Sequence, residues 1–176
     1  MHKYRTVRPL AFAAGGAAIG ALVLGGPAGA DPLNQRAATK FYYSIDSMAM
    51  TPTDYQSAGD FHIDRPSGTL YVGGLNRCFN AAIHLPDGAT ITAVTVYYHS
   101  GTYFDPDFHL YRHRYSDGAT GQVAALSVPN DTGTRTSANL VLKPTLAVVN
   151  NLHFSYGFGV CIGFTDGFYG ARITYN

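Results

Sequence analysis

After residue 30, the chain alternates apolar and polar side chains with a period of two, the repeat of a strand that lays one face on a core. The runs carrying this pattern are residues 40–46, 61–64, 69–72, 77–85, 89–99, 107–115, 122–128, 137–142, 153–163 and 168–175. Turn signals separate them, among them Pro86-Asp87-Gly88, Ser116-Asp117-Gly118 and Asp166-Gly167, at intervals of roughly eight to twelve residues. Residues 47–57, with Pro52 and Asp54, read as a long loop. No helical period and no internal repeat interrupts the series. The pattern predicts an all-β domain over residues 40–176, an antiparallel β-sandwich of jelly-roll-like form.

Alternation also assigns faces. In residues 153–163, Phe154, Tyr156, Phe158, Val160 and Ile162 form a core side, and Ser155, Gly157, Gly159, Cys161 and Gly163 form the other. In residues 77–85, Phe79, Ala81, Ile83 and Leu85 face inward while Cys78, Asn80, Ala82 and His84 face outward. The two cysteines of the chain thus fall on outer faces, which predicts a Cys78–Cys161 disulfide between adjacent strands, not across the core. The outward glycines 157, 159 and 163 read either as a bend or bulge in the strand or as a place where another backbone or a ligand approaches closely, with the bend favoured.

The same logic applied to residues 89–115, read as a hairpin turning at 101–106, sends Thr92, Val94, Val96, Tyr98, Phe108 and Leu110 inward. It sends Tyr97, His99, His109, Tyr111, His113 and Tyr115 outward, and places Tyr97 and His99 beside His109 and Tyr111. These six are the candidate ligand-binding residues. Aromatic rings that also carry hydrogen-bonding edges suit sugars and similar polymers, and histidine makes such a surface pH-sensitive. The competing reading is that this face is a subunit interface of a homo-oligomer or lies under a loop.

Composition agrees with the β reading. All eleven acidic residues are Asp, the three lysines are Lys3, Lys40 and Lys143, and Gly, Thr, Tyr and Phe are abundant. Residues 1–30 have a secretory pattern of their own: His2, Lys3, Arg5 and Arg8, then an uncharged Ala/Gly/Leu run, then Ala28-Gly29-Ala30 as a cleavage site. The expected product begins at Asp31 with a loose leader over 31–39. It carries nine Lys and Arg against eleven Asp, a net charge of −2, which gives no electrostatic reason to expect nucleic acid. No later apolar run is long enough to span a membrane, and no lipid-accepting cysteine follows the cleavage site, so the expectation is an extracellular, released bacterial protein.

Catalytic patterns are missing. There is no G-x-S-x-G, no H-E-x-x-H and no P-loop, and with no Glu a paired-carboxylate mechanism would fall to turn aspartates. His109 and His113, four apart on a strand, stand about 13 Å apart and do not make a zinc pair. Asp105 and Asp107 lack the loop of a calcium site. The reading therefore assigns no catalytic residue, no metal and no cofactor.

Two segments, residues 85–98 (LPDGATITAVTVYY) and 168–175 (FYGARITY), resemble short secreted bacterial proteins that pair an LPxGA-VTxVxVYY strand with a closing YGxRIxY strand. No function is attached to that group. The resemblance covers residues 85–176 and implies a compact β domain completed by its last strand. The expected role is a non-enzymatic binding or structural module: adhesion, carbohydrate recognition or self-assembly, with an extracellular glycan or cell-surface polymer as partner. The alternatives are a small hydrolase using loop Asp and His, or a secreted toxin or inhibitor.

Overall fold

A computed structural model describes residues 38–54, 60–74, 76–101, 103–129 and 135–176. The expected signal segment and all but the last two residues of the leader lie outside them, as do residues 55–57 of the expected long loop. Two antiparallel sheets are stacked face to face. Sheet A contains β1 (Phe41–Asp46), β3 (Phe61–Asp64), β4 (Thr69–Val72), β6 (Ile91–His99), β9 (Arg135–Asn139) and β12 (Gly167–Tyr175) in the order β3-β4-β12-β6-β9, with β1 also paired to β12. Sheet B contains β2 (Thr51–Pro52), β5 (Arg77–Ile83), β7 (Asp107–Arg114), β8 (Thr120–Ser127), β10 (Val141–Leu142) and β11 (Phe154–Ile162) in the order β10-β8-β7-β11-β5-β2. The fold is an all-β antiparallel sandwich, jelly-roll-like in that most connections carry the chain from one sheet to the other.

The inward residues of the alternation meet in one core. Phe108 and Phe158 of sheet B lie against Phe168 of sheet A with ring centroids 6.1 and 5.9 Å apart, and Tyr98 reaches Phe108 at 5.2 Å. Phe79, Phe108, Phe158 and Phe168 are fully buried. Each aromatic ring of this kind contributes several kcal/mol, since truncation to Ala costs about 3–5 kcal/mol.

Three expectations are corrected. Residues 89–115 are not a hairpin: β6 pairs with β12 and β9, whereas β7 pairs with β8 and β11. The chain instead passes from sheet A at His99 to sheet B at Asp107, and a buried carboxylate fixes the crossing. Asp166 Oδ1 accepts the Gly101 N–H at 2.6 Å and Oδ2 accepts the Gly163 N–H at 2.7 Å, which joins the β6–β7 crossing to the β11–β12 crossing. Second, Thr92 faces solvent and Ile91 faces the core, because the β6–β12 register shifts between Thr174 and Tyr175 and inverts the phase at the strand start. Third, the 137–142 run divides at the buried Leu140: β9 joins sheet A and β10 joins sheet B.

The loop read over 47–57 contains one turn of 3-10 helix, Ser47–Ala49, capped by Asp46, and the short β2. The remaining runs appear as strands within one or two residues of their expected ends. No helix among the described residues is long and apolar enough to cross a membrane.

Candidate functional site

The outer face of sheet B is built from residues that alternate with the core. On β11 these are Ser155, Gly157, Gly159 and Cys161. Register sets Gly157 opposite Tyr111 of β7, Gly159 opposite His109, and Cys161 opposite both Asp107 of β7 and Cys78 of β5. The cysteines form the expected disulfide, joining directly opposed residues with Cα atoms 4.1 Å apart. The bridge closes a separation of 83 residues, for which the chain-entropy model gives roughly 4–5 kcal/mol of stabilisation.

Gly157 and Gly159 seat a side chain. A Cβ on Gly157 would lie 2.5–2.7 Å from Cε2, Cζ and Oη of Tyr111, and one on Gly159 would lie 3.3 Å from Tyr111 Cε1. The distal half of the Tyr111 ring therefore spans both glycines, which any larger residue would prevent. β11 runs through both positions with unbroken register to β5 and β7, so the favoured reading of these glycines as a bend is replaced by the seat. Gly163 plays the same part for Phe104, whose ring would clash with an added Cβ.

Beside the seated ring is an open groove of about 320 Å³, lined by Tyr111, Asn80, His109, His113, Thr120 and Gln122 with the disulfide. Its polar groups are held by one another. Lys143 Nζ donates to Gln122 Oε1 at 3.5 Å, which turns the amide nitrogen of Gln122 toward His109 Nδ1 at 3.0 Å. An amide nitrogen can only donate, so that ring nitrogen accepts and Nε2 is left as the donor edge of the ring. Thr120 Oγ1 lies 2.9 Å from His113 Nδ1, and the His113 ring meets Tyr111 edge to face at 4.8 Å. Burial raises the Tyr111 hydroxyl pKa above its ordinary value, so the ring stays neutral.

The six candidate residues are dispersed. His109, Tyr111 and His113 share the groove. Tyr97 lies on the outer face of sheet A, out of phase with buried Val96 and Tyr98. His99 ends the same strand near Asp166, whose carboxyl its charge influences. Tyr115 is exposed just past β7, beside Leu152, His153 and Phe154. Tyr97 and His109 are thus separated by the sandwich, and the expected ladder is not formed.

Sequence reading omitted Thr120 and Gln122, which the β7–β8 register places opposite His113 and Tyr111. The register shift at Leu110 hides them from simple alternation. No group of three or more His, Cys, Asp or Glu among the described residues is placed to hold a metal ion.

No protein-family model matches this sequence, and no curated protein matches it. Among solved structures, the fold is similar to the C-terminal CBM6 of LamC, a marine laminarinase from Zobellia galactanivorans, at 16% identity and a TM-score of 0.42, covering 76% of this chain and 99% of that one. It is also similar to the Podospora anserina GH26-CBM35 β-(1,4)-mannanase, at 14% identity and a TM-score of 0.38, covering 78% of this chain and 28% of that one. A third is the infectious bursal disease virus Gt strain, at 13% identity and a TM-score of 0.41, covering 84% of this chain and 35% of that one. Likenesses this distant assign neither a family nor a ligand.

Proposed function

We propose that this protein is a secreted, non-enzymatic module that binds extracellular carbohydrate in the groove on sheet B. The observation that carries the reading is the Tyr111 ring seated over Gly157 and Gly159. A ring held with one side on the backbone presents a preorganised apolar surface, and binding a sugar against it does not first have to order a side chain. Around it stand groups of the kind that pair with hydroxyls: the Asn80 and Gln122 amides, the Thr120 hydroxyl and the two imidazoles. A mostly apolar floor with a few fixed polar groups is the usual composition of a small-molecule site. Among the described residues lining the groove there is no carboxylate, so the paired acids of a glycosidase have no counterpart in it.

Secretion rests on the basic, apolar and A-x-A pattern of residues 1–30, and the disulfide is consistent with an oxidising destination. The test uses protein recovered from culture medium, whose intact mass should correspond to a chain beginning at Asp31. On a glycan array, the parent should bind at least one glycan, and Tyr111→Ala should bind it about tenfold more weakly, a loss matching one stacking contact with its burial. Absence of glycan binding, or equal binding by parent and variant, overturns the reading.

A further inference from the structure

The opposite surface of the sandwich carries an unassigned constellation. On the outer face of sheet A, Arg172 of β12 is opposed by Ser44 of β1 and Thr95 of β6. Its guanidinium carbon lies 5.4 Å from the Tyr42 ring centre and 6.0 Å from that of Tyr97. Two residues back along β12, Gly170 opposes Asp46 and Tyr97 in a bulge. Ser44, Asp46, Tyr97, Tyr169, Gly170 and Arg172 line a depression of about 400 Å³, with Tyr42 beside it across Arg172.

The floor of the depression cannot be filled. Gly170 has φ +148, and a Cβ there would stand 2.6 Å from the Ile45 carbonyl oxygen. Arg172 itself is exposed, and among the described residues no carboxylate lies within ion-pair distance of it. The guanidinium lies over both tyrosine rings, and no ion pair among the described residues engages its N–H groups. Asp46 is committed locally, since its Oδ1 accepts the Met48 N–H at 2.9 Å and contacts the Ser47 hydroxyl at 3.3 Å. It can still accept from a hydroxyl through its remaining lone pairs.

A ligand that satisfies this surface has a planar anion for the fork, hydroxyls for Asp46 and Ser44, and a ring face for a tyrosine. We propose that the outer face of sheet A is a second binding site, specific for acidic sugars, in which Arg172 receives the carboxylate of a uronate. Bidentate recognition of a carboxylate is the pairing for which guanidinium geometry is suited and ammonium geometry is not. The inference does not depend on the sheet B groove.

Titration calorimetry on the full exported protein tests it with two acidic probes, a hexamer of galacturonic acid and one of mannuronic acid, against a neutral galactose hexamer. At least one acidic hexamer should bind, more weakly as salt rises. Arg172→Gln should reduce that binding about tenfold or more, the size of a lost charge-assisted pair, and Arg172→Lys should recover only part of it. Tyr111→Ala should leave it unchanged, which separates this site from the groove on sheet B. Thermal melting of each variant checks folding, and because the Arg172 side chain is exposed, the melting temperatures should match. Binding unaltered by Arg172→Gln, equal affinity for the neutral hexamer, or no binding of either acidic hexamer overturns the proposal.

Discussion

The two outer faces of the sandwich use one device with different polar chemistry. Each leaves a glycine where a strand residue would stand outward, and each sets a tyrosine beside the gap. On sheet B the gap at Gly157 and Gly159 is closed by Tyr111, and the surrounding groups are amides, imidazoles and a hydroxyl. On sheet A the space beside Gly170 is bounded by the Ile45 carbonyl of the neighbouring strand β1, and the groups around it are a guanidinium and a carboxylate. In one case the glycine makes room for a side chain and in the other for a main chain. Removing each glycine should therefore have quite different consequences.

The larger effect is expected at Gly170. Alanine there meets both a positive φ and a carbonyl oxygen that cannot move without displacing β1, so Gly170→Ala should lower unfolding free energy by about 3 kcal/mol. Denaturant titration measures this, and a loss well under about 1 kcal/mol would refute this account of the β1–β12 pairing at Gly170.

Next comes the carboxylate that joins the two sheet crossings and so keeps the faces apart. Asp166→Asn leaves one carbonyl oxygen to serve two N–H groups and should cost about 2 kcal/mol. The Asp166 pKa is raised chiefly by desolvation. Hydrogen bonds from Gly163 and Gly101 and the charge of His99 oppose the shift, and Asp105 adds to it. A carboxyl whose folded pKa exceeds its unfolded value holds its proton longer in the native state. Stability should therefore fall as pH rises from the ordinary carboxylate range through the raised value, and be level above it. Subtracting the stability curve of the Asp166→Asn variant from that of the parent isolates this slope, and a difference that grows with pH would contradict the sign.

The smallest stability effect belongs to Gly157. Its obstacle is the far end of the Tyr111 side chain, which can swing away, and alanine otherwise suits a strand better than glycine does. Gly157→Ala should change stability by less than about 1 kcal/mol while weakening glycan binding as much as Tyr111→Ala does. A variant that keeps full binding would show that the seat is not what positions the ring.

Along the regularly paired stretches of each strand, the sequence alone determined which residues face inward. Phe79, Phe108 and Phe158 were legible as core, and Cys78 and Cys161 as an outer pair, because a strand exposes opposite faces on alternate residues wherever it lies. The His109, Tyr111 and His113 row was legible for the same reason. Alternation has no way to say which sheet a strand joins. A hairpin and a sheet crossing carry the same in-out pattern, so β6 and β7 read as neighbours although they back opposite surfaces. That choice belongs to long-range contacts: the β6 pairing with β12 and the two backbone N–H groups that converge on Asp166. The bulges at Thr92, Gly170 and Leu110 were equally hidden, since each is fixed by its partner strand's register. Tertiary structure thus decided that the aromatic, histidine-rich surface is two surfaces, and placed Arg172 between tyrosines that are distant from it in sequence.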